Sequence, residues 1–225
     1  MSGGARPHWK RRQSTGFAPS PSSFQALGGL SNSRFAELRA FIALNLPPAE
    51  RQALFDATRA VRDAATAASW VAAHNLHLTL KFLGEVDEGR ATRLGERLAS
   101  IGAAHRPLTL DVGGAGVFPN LRAPRIVWMG VSPDSKLELL YHDVERGCEA
   151  LGFAAEGRAF RPHITLGRLK VVPDAGVRRA LSDAMRECAF QARIAVESVD
   201  LMASALGAGG SRYAVTVSAS LGKER

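Results

Sequence analysis

The chain has 225 residues, 46% of them hydrophobic and 22% charged, with a net charge of +8 and a pI near 10.3. That length allows one sizeable core or two small lobes, and no apolar run approaches the roughly 20 residues of a membrane span. Two cysteines, Cys148 and Cys188, exclude a disulfide framework or a C-x-x-C metal knuckle; they fit buried thiols in a reducing cytoplasm, the location expected here.

Residues 1–38 carry Arg6, Lys10, Arg11, Arg12 and Arg34 against Glu37, so +4 of the +8 lies there. The segment is rich in Ser, Gly and Pro ("STGFAPSPSSF") and has no apolar period, which predicts a basic disordered leader. It lacks the apolar stretch of a secretory signal. The folded domain is expected over residues 39–222.

"RAFIALNL" reads as a strand ended by Pro47 and Pro48. One helix is expected through "PAERQALFDATRAVRDAATA", with Leu54, Ala57, Val61, Ala64 and Ala65 on one face. A strand holding "LHLTLKFLGE" follows, then a helix from Asp87. "LTLDVGG" and "PRIVWMGV" read as strands joined through "AGVFPNLRA", and "DSKLELLYHDVERGCEALG" as a helix. The strand "PHITLGRLKV" and a helix through "PDAGVRRALSDAMREC" come next. "FQARIAVESVDLMAS" and "SRYAVTVSAS", separated by "ALGAGG", form a closing hairpin. The expected class is α+β: two pseudo-symmetric lobes of mainly antiparallel sheet, helices outside, and a central cleft. The duplication is visible in the helices that follow the two similar strands. Asp87 lies ten residues after His77, and Asp174 eleven after His163.

His-x-Thr therefore occurs twice, each time inside an apolar strand. Side chains alternate along a strand, which puts Leu76, Leu78, Leu80 and Phe82 on one face and His77, Thr79 and Lys81 on the other. In the second copy His163 and Thr165 share a face opposite Ile164 and Leu166. A lone histidine on a strand is usually a satisfied structural residue; two His-x-Thr pairs in matching contexts point to an oxyanion site. Metal motifs, the G-x-S-x-G elbow and the Walker A loop are absent from the sequence. Two imidazoles titrating near neutrality suit in-line attack at phosphorus, one taking a proton and the other giving one. The threonine hydroxyls and a cation would hold the phosphate oxygens.

Paired "HLTL" and "HITL" resemble the H-x-T-x motifs of the 2H phosphoesterase superfamily. More narrowly, the chain resembles the RNA 2′,3′-cyclic phosphodiesterases, also called 2′-5′ RNA ligases. "FIALNLP", "LHLTLKFLGEV", "GVFPNLRAPRIVW", "FRPHITLGR" and "GGSRY" fall in the family's order between about Arg39 and Ser220. The resemblance implies a bilobal fold with a central cleft, no metal, no cofactor, and hydrolysis of a 2′,3′-cyclic phosphate to a 2′-phosphate. It makes His77 the proton donor and His163 the acceptor, with Thr79 and Thr165 binding phosphate. It also maps a phosphate-binding arginine to Arg168, which strand alternation sets away from His163 unless Gly167 ends or bulges the strand. Lys81 and Phe41 complete the expected substrate contacts. RNA ends or nucleotides bearing a 2′,3′-cyclic phosphate are the expected partners, membranes are not, and a monomer is expected. Another cyclic phosphate or a 2′-5′ oligonucleotide is the alternative substrate, and a non-catalytic RNA-binding module is the alternative class. His74, His105 and His142 are expected to be surface or structural residues. Trp70, Phe118 and Trp128 are expected in the core, with base stacking as their other use.

Overall fold

The computed structural model describes residues 38–207 and 210–222. The expected leader lies outside these residues, apart from its last position. Within them, the apolar run Leu38–Asn45 forms β1, and Pro47 and Pro48 turn the chain into helix α1, Pro48–Ala57. The single helix expected here is two, because α2 restarts at Arg59–Ala64. The break falls at buried Thr58, whose hydroxyl donates back to the Leu54 carbonyl at 2.8 Å. Such back-bonding competes with the helix ladder.

The short strand β2, Ser69–Trp70, and a 3-10 turn over Ala73–Asn75 lead into β3, His77–Val86, which carries the first motif. Helix α3, Glu88–Ala104, follows with Asp87 as its cap, accepting from the Arg90 amide. β4 spans Leu108–Phe118 and β5 spans Ile126–Val131, so β4 continues through four residues assigned to a loop from the sequence. Helix α4, Ser135–Glu149, is capped by Asp134. β6, His163–Arg168, carries the second motif, and α5, Ala175–Glu187, is capped by Asp174. Each cap satisfies amides left without partners in a first helical turn. Apolar residues at helical spacing, such as Leu94, Leu98 and Ile101 on α3 or Leu137, Leu140, Val144 and Cys148 on α4, are buried beneath the sheet.

The stretch expected as one strand after α5 divides at Glu197 into β7, Gln191–Val196, and β8, Ser198–Gly207. These two go to opposite halves of the sheet: β7 pairs with β4, whereas β8 pairs with β1. β8 then makes the expected hairpin with β9, Gly210–Ser220. The result is one curled nine-stranded sheet in the order β7-β4-β5-β6-β3-β1-β8-β9, with β2 beside β6. All the pairings are antiparallel. The order reads as a pseudo-two-fold: β3 and β6 in the middle, β1 matching β5, β8 matching β4, β9 matching β7. The two expected lobes are thus the halves of one sheet, and the motif strands meet where the halves join. Cys148 is buried as expected, while Cys188 is only half-buried. No helix among the described residues is long and apolar enough to cross a membrane.

Candidate active site

β3 and β6 pair through Leu78 and Ile164. Both side chains are fully buried on the helix side, so the residues flanking them project from the other face. In an antiparallel register this sets His77 beside Thr165 and Thr79 beside His163. The two histidines are then diagonal neighbours, with backbones roughly 7–8 Å apart. One pair of buried aliphatic side chains thereby centres two imidazoles and two hydroxyls on a single patch.

The two rings are held in the same way. His77 Nδ1 donates to the Asn75 carbonyl at 2.7 Å, and His163 Nδ1 donates to the Arg161 carbonyl at 2.7 Å. A carbonyl only accepts, so Nδ1 carries hydrogen in both rings and Nε2 is the atom offered to a substrate. His77 Nε2 lies 3.1 Å from the Thr79 hydroxyl. Aromatic rings line both histidines. Phe41 stacks on His77 with centroids 4.9 Å apart, and Tyr213 meets it edge-on at 5.4 Å. Phe118 meets His163 edge-on at 5.1 Å, with Trp128 behind it.

These surroundings push His77 down to about 4, chiefly through burial and further through the charges of Arg51 and Arg168, against an upward pull from the Asn75 carbonyl. Arg51 had no part in the expectation from sequence. It sits in the first turn of α1 and donates to the Leu46 carbonyl at 2.5 Å and the His74 carbonyl at 2.6 Å. It so ties the end of β1 to the turn that holds His77. Asn45, opposite His77 in the β1–β3 register, was missed as well; its amide donates to Asp200 at 2.7 Å, a carboxylate only 3% exposed. Neither residue belongs to a recognisable motif, and only the pairing of distant segments brings them to the site.

Three expected contacts need correction or refinement. Lys81 does not share the His77 face. Ile42 pairs with Lys81 and Ala43 with Thr79, so Leu80 is an extra residue that bulges β3 and reverses the alternation beyond it. Lys81 therefore points to the helix side, 5% exposed, with its ammonium 2.6 Å from Glu145. The same reversal turns Phe82 onto the motif face, where it is 68% exposed. Phe41 is 4% exposed and packed against Met202 and Tyr213, so it backs His77 and offers little open surface of its own. Arg168 gains from a matching bulge. Val127 pairs with Gly167 and Trp128 with Thr165, which leaves Leu166 as the extra residue and returns exposed Arg168 to the His163 face. The glycine is required there, since a Cβ on Gly167 would fall 2.4 Å from the Trp70 ring.

His105 is buried and paired with Asp143 at 2.7 Å, a structural histidine as expected. Among the described residues no three His, Cys, Asp or Glu side chains cluster as metal ligands.

The profile of the 2′-5′ RNA ligase superfamily matches residues 47–208. The chain belongs to that superfamily. Relatives called RNA 2′,3′-cyclic phosphodiesterase include one from Geobacillus stearothermophilus, 37% identical over 57% of this chain and 41% of the relative. Another, from Thermotoga maritima, is 34% identical over 61% of this chain and 73% of the relative. The match thus spans less than half of the first relative and about three-quarters of the second. Among solved structures, a Thermus thermophilus protein superposes with a TM-score of 0.68 at 29% identity, covering 84% of this chain and all of that one. Escherichia coli LigT complexed with 3′-AMP superposes at 0.63 and 29% identity, over 82% of this chain and 98% of that one. The α+β class and the antiparallel sheet agree with this membership of the 2′-5′ RNA ligase superfamily.

Proposed function

We propose that this member of the superfamily hydrolyses RNA 2′,3′-cyclic phosphodiesters to 2′-phosphomonoesters by two-histidine acid–base catalysis. One observation carries the reading: the Leu78–Ile164 pairing centres two imidazole Nε2 atoms and two threonine hydroxyls on one face. The names of the relatives and the 3′-AMP complex of LigT support the substrate class.

The phosphate sits between the strands, its non-bridging oxygens accepting from Thr79 and Thr165 and facing the guanidinium of Arg168. His163 Nε2 takes a proton from water as the water oxygen bonds to phosphorus. The bond from phosphorus to the 3′ oxygen breaks, and His77 Nε2–H gives that oxygen its proton. The 2′ ester bond stays, so the product is a 2′-phosphate. A ribose 5′-hydroxyl in place of water would leave a 2′-5′ phosphodiester by the same proton transfers, which is ligation. Nothing in these steps needs a metal.

The test uses the purified full chain and 2′,3′-cyclic AMP. Turnover to 2′-AMP that survives exhaustive chelation is expected, with His77→Ala and His163→Ala each costing on the order of 10²–10⁴ in rate. A substrate with sulfur at the bridging 3′ position needs little protonation of its leaving group. It should rescue His77→Ala and leave His163→Ala slow; the opposite pattern exchanges the two roles. Turnover that chelation abolishes and one divalent ion restores would overturn the mechanism. Absence of turnover on this and other cyclic phosphates would leave a binding module.

A further inference from the structure

The two bulges do more than turn Phe82 and Arg168 onto the motif face. Each also sends the fourth residue after its histidine to the helix side, Lys81 from β3 and Gly167 from β6. Each of those residues holds the segment that leads into the other histidine. Lys81 Nζ donates to Glu145 at 2.6 Å and to the Ala154 carbonyl at 2.9 Å. Ala154 lies in the connection from α4 to β6, which ends at the Arg161 carbonyl that orients His163. Glu145 grips the same connection through the Glu156 amide at 3.3 Å, and Tyr141 stacks on Phe160 with centroids 4.0 Å apart.

On the other side, Gly167 receives the ring of Trp70 from the segment running into β3. Trp70 also pairs with Gly167 in the sheet, and the Val71 amide donates to the Leu166 carbonyl at 2.8 Å. Five residues past Trp70 stands the Asn75 carbonyl that orients His77.

We propose that Lys81 with Glu145, and Gly167 with Trp70, are positioning residues forming reciprocal braces: each motif strand fixes the approach to the opposite histidine. Lys81 and Glu145 are 5% and 7% exposed, and a buried ion pair is a weak source of stability. Their geometry gives them another use. A relative shift of one motif strand now moves both the imidazole it carries and the carbonyl that orients the opposite one. The separation of the two Nε2 atoms is thereby kept to the tolerance that in-line proton transfer demands, where a misplacement of about 1 Å costs about 10²-fold.

The inference rests on the two-histidine reaction proposed above, so wild-type turnover of 2′,3′-cyclic AMP is the control; its absence would overturn that reading rather than this one. The decisive variant is Lys81→Met combined with Glu145→Leu, an apolar pair of similar size that keeps or raises the melting temperature. A kcat reduced 10- to 100-fold at unchanged KM, in a variant that melts no lower than wild type, is expected, because the apolar pair fills the space and no longer holds the Ala154 carbonyl. Wild-type kcat in a folded double variant would overturn the proposal. Should that variant fail to fold, Trp70→Ala and Trp70→Phe test the other brace on half-buried Trp70. The Phe variant, which keeps a ring over Gly167, should retain kcat that the Ala variant loses. Equal kcat in the two would overturn the proposal.

Discussion

In the free protein His77 is held down to about 4 by burial and by the charges of Arg51 and Arg168, so at neutral pH its ring carries no charge. A proton donor with that value would be almost empty when substrate arrives. The bound phosphate changes this. One negative charge about 4 Å from the imidazole, at an effective dielectric of about 20, favours the protonated ring by about 4 kcal/mol, or about 3 pKa units. The same charge offsets the repulsion from Arg51 and Arg168. Bound His77 is therefore expected near 7, in the range that suits a general acid at neutral pH. The assay is an NMR titration of the histidine Cε1–H resonances, with His77→Gln supplying the assignment, carried out free and with saturating 2′-AMP. The free resonance should titrate near 4, and 2′-AMP should raise it by at least about 2 units. A free value near the ordinary 6.5, or a value that 2′-AMP leaves unmoved, would refute the argument.

The same lowering couples folding to pH. The unfolded chain, with its histidine near 6.5, binds more protons than the folded chain between about pH 6.5 and 4. Stability is therefore fully present above that window and falls as pH drops through it. In urea titrations the wild type should lose on the order of 3 kcal/mol more than His77→Gln between pH 7 and pH 4, and parallel losses would contradict the lowered value. Arg168 and Phe82 occupy matching positions beyond the two bulges, and both are exposed on the motif face. Arg168→Ala should raise KM about 10-fold or more for every cyclic phosphate, with or without a base. Phe82→Ala should leave the melting temperature unchanged and raise KM at least about 5-fold for 2′,3′-cyclic AMP, but not for a base-free ribose 2′,3′-cyclic phosphate. Equal effects of Phe82→Ala on the two substrates would remove base stacking from its role.

Both His-x-Thr pairs were legible in the sequence because strand alternation has a period of two: His77 shares a face with Thr79, and His163 with Thr165, as both bulges fall beyond the threonines. The helix starts were equally local, since Asp87, Asp134 and Asp174 cap the turns that directly follow them. What alternation alone got wrong lies beyond the bulges. One extra residue, Leu80 in β3 and Leu166 in β6, reverses the faces of the residues that directly follow it, and whether a strand bulges depends on the strand paired beside it. Lys81 thus left the site for Glu145, while Phe82 and Arg168 entered it. The division of one apolar stretch into β7 and β8 was hidden for a related reason: its two parts have the same strand pattern, and only their partners β4 and β1 separate them. Arg51 and Asn45 reach His77 through segments distant in sequence, so no spacing along the chain announced them. The sequence by itself determined the chemical groups and the face each short motif presents. The tertiary structure decided which groups meet, because strand register and bulges are settled by pairing between segments that the chain brings together only on folding.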